Sequence, residues 1–209
     1  MKVVVFFLSI LVCANSWATE VDNKDPFKLV QSVAKDLFER IAREQKEIQK
    51  DPEVLRTVVA EQLAPHINHV YAGSMVLGPY YRKVSDQEKT LFFESFRKYL
   101  IATYAGILTL YKDQKVVFEP SSEVKGKRVQ VKVRVLDEGR PDINIGFILR
   151  KNSKGEWSAY DMVAEGISVL SSKQKELQGQ IRQQGIASVT ALLSEKAAKP
   201  IVLKEIGNY

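Results

Sequence analysis

The apolar residues of this chain change their spacing once, near Lys112, and that change restricts the fold more than any other feature. Downstream of it Val129, Val131, Val133 and Val135 alternate with Gln130, Lys132 and Arg134. A period of two places every second side chain on the same face of a strand, leaving one face dry and one wet. Ile143, Ile145, Phe147 and Leu149 repeat the pattern, and residues 116–119 and 157–164 complete four predicted strands. Residues 137–142 and 152–155 are clusters of turn-forming residues. Connections that short join neighbouring strands as an antiparallel meander.

Upstream of Lys112 the period is helical. Val30, Val33, Leu37, Ile41 and Ile48 form one stripe of a long amphipathic helix from Phe27. Asp51-Pro52 reads as the start of a second helix, with Asp at the cap and Pro in the first turn, and Pro65 ends it. A third helix is predicted over 67–77, stopping at Gly78-Pro79. Ser85-Asp86-Gln87-Glu88 is a capping box opening the longest helix, to about residue 111. Its apolar residues cover more than one stripe, so two of its faces need a covering. Nine of the sixteen aromatics after residue 18 fall between Tyr71 and Tyr111. Helices return over 168–184 and 186–197. The predicted class is α+β: a mainly helical part (19–111), a curved antiparallel sheet of about four strands (112–166) and closing helices (167–209), in one domain. Residues 19–26 are polar and aperiodic and are expected to be a disordered lead.

The first eighteen residues are an export signal. Lys2 precedes an apolar run from Val3 to Val12, and Ser16-Trp17-Ala18 places small residues for cleavage after Ala18. Ten apolar residues are too few to span a hydrocarbon layer, which takes about 20. Acylation at Cys13 is the alternative, disfavoured by Val12 where a small residue belongs. Cleavage removes Cys13, the chain's one cysteine. The exported protein therefore has no disulfide and is held by its core alone, in keeping with the periplasm. No later segment approaches 18 consecutive apolar residues, so the exported chain is expected to be soluble. The formal charge is +6, or +5 without Lys2. Outside the inner membrane that sign favours approach to phospholipid head groups rather than nucleic acid, and it also serves simply as a solubility charge.

A catalytic site is hard to assemble. There is no G-x-S-x-G elbow, no thiol nucleophile and no phosphate-binding G-x-x-x-x-G-K-[ST] loop. His66 and His69 lie near Glu61, but Pro65 breaks the helix that would align them as metal ligands. They are read as solvent-facing, and no metal or cofactor is expected. Asp161 and Glu165 are read as acceptors for backbone N–H groups at a turn before a helix. Lys125, Lys127, Arg128, Lys132 and Arg134 are read as solvated surface. The remaining feature is apolar: a helix with little polar girth, interspersed with small residues, facing an alternating sheet. Such a pair either closes as a core or encloses a cavity.

Four segments carry a resemblance: DPEVLRTVVAEQLAPHI (51–67), VYAGSMVLGPYY (70–81), FFESFRKYLIATYAGILTLY (92–111) and WSAYDMVAEGISVL (157–170). Together they resemble the MlaC family of periplasmic phospholipid shuttles, also called toluene-tolerance proteins. The resemblance implies an NTF2-like curved sheet with acyl chains buried between sheet and helices, and no catalysis. It also implies two partners, an inner-membrane ABC transporter with a ring of MCE domains and an outer-membrane lipoprotein–porin complex. The protein would then be a monomer that maintains outer-membrane lipid asymmetry. The pocket is expected to be lined by Val131, Val133, Ile145, Phe147 and Val163 from the sheet, and by Val70, Leu77, Phe96, Tyr99, Leu100 and Tyr104 from the helices. An NTF2-like exported enzyme acting on a small apolar substrate is the alternative, and an adaptor working through its surface is a third.

Overall fold

The computed structural model describes residues 21–121, 123–136, 139 and 141–204. The leader and its cleavage site lie outside these residues, as does part of the turn expected at 137–142. Six α-helices and five strands follow in order: α1 (Pro26–Arg43), α2 (Gln45–Lys50), α3 (Val54–Val58), α4 (His69–Leu77), α5 (Asp86–Leu108), β1 (Lys115–Phe118), β2 (Arg128–Leu136), β3 (Ile143–Lys151), β4 (Trp157–Ala164), β5 (Ile167–Ser168) and α6 (Val169–Ala198). The class is α+β, consistent with an NTF2-like architecture. The sheet is an antiparallel meander in sequence order, with a fifth strand that the alternation did not reveal. Two residues are too few to show a period. Their hairpin is made by Glu165 and Gly166, both at positive φ, as a tight two-residue turn needs.

Local chemistry accounts for the helix ends. Ser85 and Glu88 close the capping box at the start of α5. Asp25 accepts the N–H groups of Phe27 (2.8 Å) and Lys28 (3.1 Å), with Pro26 in the first turn of α1. The described part of the lead is therefore ordered rather than disordered: Asn23 also accepts the N–H of Trp157 at 2.8 Å, fastening it to β4. The single first helix expected from the sequence is broken at Glu44 into α1 and α2. The second region runs as α3, a π-helical turn (Val59–Leu63) and a 3-10 turn (Ala64–His66) that contains Pro65. Gly185 (φ 80°, ψ 166°) interrupts α6, dividing it where two helices were expected.

Packing is organised around α5, which borders two cores. Phe92 and Phe96 join Val76 and Leu77 of α4 and Leu177, Val189 and Leu193 of α6. Ile101 and Ala105 face Leu37, Leu55 and Val58 on the other side. This double burial is the reason α5 is apolar around its girth. A third core holds α1 (Leu29, Val30, Val33) against Val131, Leu149 and Trp157 of the sheet. Gly73 lets α4 approach α5 closely: a Cβ there would stand 2.7 Å from the Phe93 ring.

Candidate lipid cavity

Where α1 and α5 lean over the inner face of the sheet they do not close on it, and a cavity of about 230 Å³ remains. One stripe of α5 (Phe96, Leu100, Tyr104, Ile107 and Leu108) faces it at helical spacing. Leu29, Val30, Val33 and Leu37 of α1 form a second wall, and Ile145, Phe147 and Leu149 of β3 form the floor. Ala159, Tyr160, Asp161 and Met162 of β4 and the first turns of α6 close the far side. The surface presented is almost wholly apolar.

Register locates the open end. Phe118, Val133, Ile145, Ala164 and Ile167 pair in one row across the five strands and so share the inner face. At the end of that row Ile167 is 66 % exposed, Ile143 on the same face of β3 is 43 % exposed, and the cavity-lining Ile107 of α5 is 46 % exposed. The cavity wall therefore reaches solvent at Ile107, at the C-terminal end of α5, with an apolar rim.

Five of the eleven residues named from sequence stand on the wall: Phe96, Leu100, Tyr104, Ile145 and Phe147. The other six do not. Val163 points away because β4 carries a bulge: Ile148 pairs with Asp161 but Leu149 with Ala159, leaving Tyr160 as an extra residue. One extra residue reverses the alternation beyond it, so Met162, opposite Phe147, takes the inward place. Val131 and Val133 do face inward, and Val131 is covered by α1 at 1 % exposure. Leu77 is sealed between α4, α5 and α6, whereas Val70, two turns earlier on the same side of α4, lies at its N-terminal end and is 48 % exposed. Tyr99 stacks on Phe96 (6.5 Å) with the Lys173 ammonium 5.7 Å from its ring.

The α1 wall was missed although its stripe was legible, because nothing local says which layer a stripe meets. The bulge did leave a signal. Strict alternation from Trp157 would put the Asp161 carboxylate on the dry face and Met162 on the wet one. The structure spares that conflict by turning Asp161 into a cap. Its oxygens accept the N–H of Met162 (2.7 Å), the N–H of Leu170 (2.9 Å) and the Ser168 hydroxyl (2.7 Å). That is the acceptor role expected of it, and Glu165 accepts the Asn144 N–H at 2.5 Å in the same way.

Electrostatics on the wall follows burial. The Tyr104 hydroxyl is pushed up to about 12 by burial, with Asp161 and Tyr99 adding to the shift. His66 and His69 are half-buried rather than solvent-facing, and burial lowers both below the ordinary imidazole value. His66 lies on the cavity wall. Among the described residues no cluster of three or more His, Cys, Asp or Glu side chains could hold a metal, and no helix is long and apolar enough to cross a membrane.

Comparison with known proteins converges on one family. Residues 31–195 match the family model described as MlaC protein. The "Intermembrane phospholipid transport system binding protein MlaC" of Haemophilus influenzae is 35% identical over 190 residues, 90% of this chain and 89% of that protein. A toluene tolerance protein of Pseudomonas putida is 22% identical over 145 residues, 69% of this chain and 67% of its own length. Among solved structures, the phospholipid-binding protein from Ralstonia solanacearum, determined in complex with a phospholipid, superposes with a TM-score of 0.74. That match covers 83% of this chain and 97% of the other at 18% identity, and it establishes a common fold.

Proposed function

The chain belongs to the MlaC protein family, and on that premise we propose that it is a periplasmic phospholipid carrier holding acyl chains in the cavity between α1, α5 and the sheet. The observation that carries this reading is a continuous apolar interior, open at one apolar-rimmed end, with no helix among the described residues able to cross a membrane. Two acyl chains contain about 30 methylenes, and at ~0.8 kcal/mol each their exposure would cost on the order of 20 kcal/mol. A carrier must therefore cover the tails, while a polar head group can stay wet at the mouth. Transfer of this kind breaks no covalent bond, which is consistent with a wall built for exclusion of water rather than for proton transfer.

The carrier receives and delivers its cargo at the two membranes, and family membership supports an outer-membrane lipoprotein–porin complex and an inner-membrane ABC transporter with MCE domains as its docking partners. Export by the 1–18 leader supplies the compartment. Native mass spectrometry of the purified exported protein tests the reading. A co-purifying species of diacyl phospholipid mass is expected, and a protein that neither carries such a species nor takes one up from vesicles would overturn it.

A further inference from the structure

The polar groups on the cavity wall are not equally provided for. Asp161 is met by three protein donors. The Lys173 ammonium is bonded to Glu176 at 2.6 Å, whereas His66, half-buried on the turn Ala64–His66, has no side-chain hydrogen bond among the described residues. Tyr104 is in the same position, one turn of α5 inside the exposed Ile107. Its side chain is deep in the protein, yet none of the described residues forms a hydrogen bond with its hydroxyl. That oxygen is not sealed in side-chain packing either, so the surface it retains is surface shown to the cavity. Phe would fill the same space without leaving a buried hydroxyl short of a partner.

Depth gives the hydroxyl a ligand. Ile107, at the mouth, is three residues further along α5, so Tyr104 lies about 4.5 Å further in along the helix axis at 1.5 Å per residue. A phospholipid held with its tails inside and its phosphate outside places its ester carbonyls between the two, at that depth. We propose that the Tyr104 hydroxyl donates a hydrogen bond to an ester carbonyl of the bound phospholipid, orienting the glycerol backbone one helical turn inside the mouth. The assignment rests on the phospholipid-carrier reading above and adds a specificity to it: acyl esters are preferred to alkyl ethers with the same tails. Because the phenol stays neutral across the physiological range, it is always a donor.

Competitive loading tests it. Delipidated protein is offered vesicles containing equal amounts of a diacyl phosphatidylglycerol and its dialkyl-ether analogue with identical chains, and occupancy is read by native mass spectrometry. Wild type is expected to favour the diester by about ten-fold, the ratio that a hydrogen bond of ~1.4 kcal/mol produces. Tyr104→Phe is expected to lose this preference, binding the diester only as tightly as wild type binds the diether. Equal loading of both lipids by wild type overturns the assignment without recourse to any variant, as does a preference that persists in folded Tyr104→Phe. Failure of wild type to load either lipid overturns the carrier reading itself, so the two failures are distinguishable.

Discussion

Successive stretches of one stripe of α5 are made of the same kinds of residue and end in opposite states. Towards α4 and α6, Phe92 interlocks with Leu177, Val189 and Leu193 at 1 % exposure or less. Towards the sheet, Leu100, Tyr104, Ile107 and Leu108 look into open space. Hydrophobicity alone does not decide whether an interface closes; the shapes brought to it do. Two helices can settle ridge into groove along their length. A helix over a twisted, bulged sheet meets a surface that curves away from it, and what is not filled remains as a cavity.

The sharpest way to break this contrast is to remove a side chain from the closed side. Phe92→Ala should cost about 3–5 kcal/mol, because the packed neighbours cannot collapse into the space it leaves. A loss below about 1 kcal/mol in urea unfolding would show that this side is no better packed than the cavity wall. Next in size is Asp161→Ala, which strips a charged acceptor from the Leu170 N–H in the first turn of α6 and from the Ser168 hydroxyl at its cap. Its loss should be about 1.5–3 kcal/mol, and an unchanged denaturation midpoint would remove Asp161 from any role in joining α6 to β4.

On the open side the response should change in kind. Ile145→Asp places a carboxylate near the mouth, where it can reach water, whereas an unpaired charge in a dry core costs several kcal/mol. The variant is expected to keep its circular dichroism and to lose less stability than Phe92→Ala, yet to purify without phospholipid. Phe147→Asp serves as a second trial deeper in the floor. If both unfold, or if folded protein still carries lipid in full, the cavity does not lie against this face.

The smallest effect is a titration. His66 and His69 are held below the ordinary imidazole value of 6.5, chiefly by burial. As pH falls through about 6.5 the unfolded chain takes up protons that the folded chain does not, so stability declines from there until the folded imidazoles also titrate. Above 6.5 the two residues contribute no slope. Thermal unfolding between pH 5 and 8 should show the decline in wild type and a flatter profile in His66→Asn/His69→Asn. An identical slope in the two proteins would place these imidazoles in ordinary solvent.

What the sequence determined by itself was whatever depends on neighbours in the chain. Period-two alternation identified β2 and β3 and their shared face, the capping box placed the start of α5, Gly185 divided α6, and the apolar girth of α5 announced that it would be covered on more than one side. Membership of the family was also legible, since it rests on residues in order. Tertiary structure decided which face met which. Val70 and Leu77 lie on one short helix that is apolar nearly all round, and only the arrival of α5 and α6 buried one and exposed the other. Val163 lost its inward place to Met162 because a single extra residue at Tyr160 shifted the strand's parity, and that shift is set by pairing with β3. The α1 wall became part of the cavity by crossing the sheet at a distance of more than a hundred residues in sequence. Local periodicity states that a surface must be buried; only long-range packing decides against what, and whether the contact is complete.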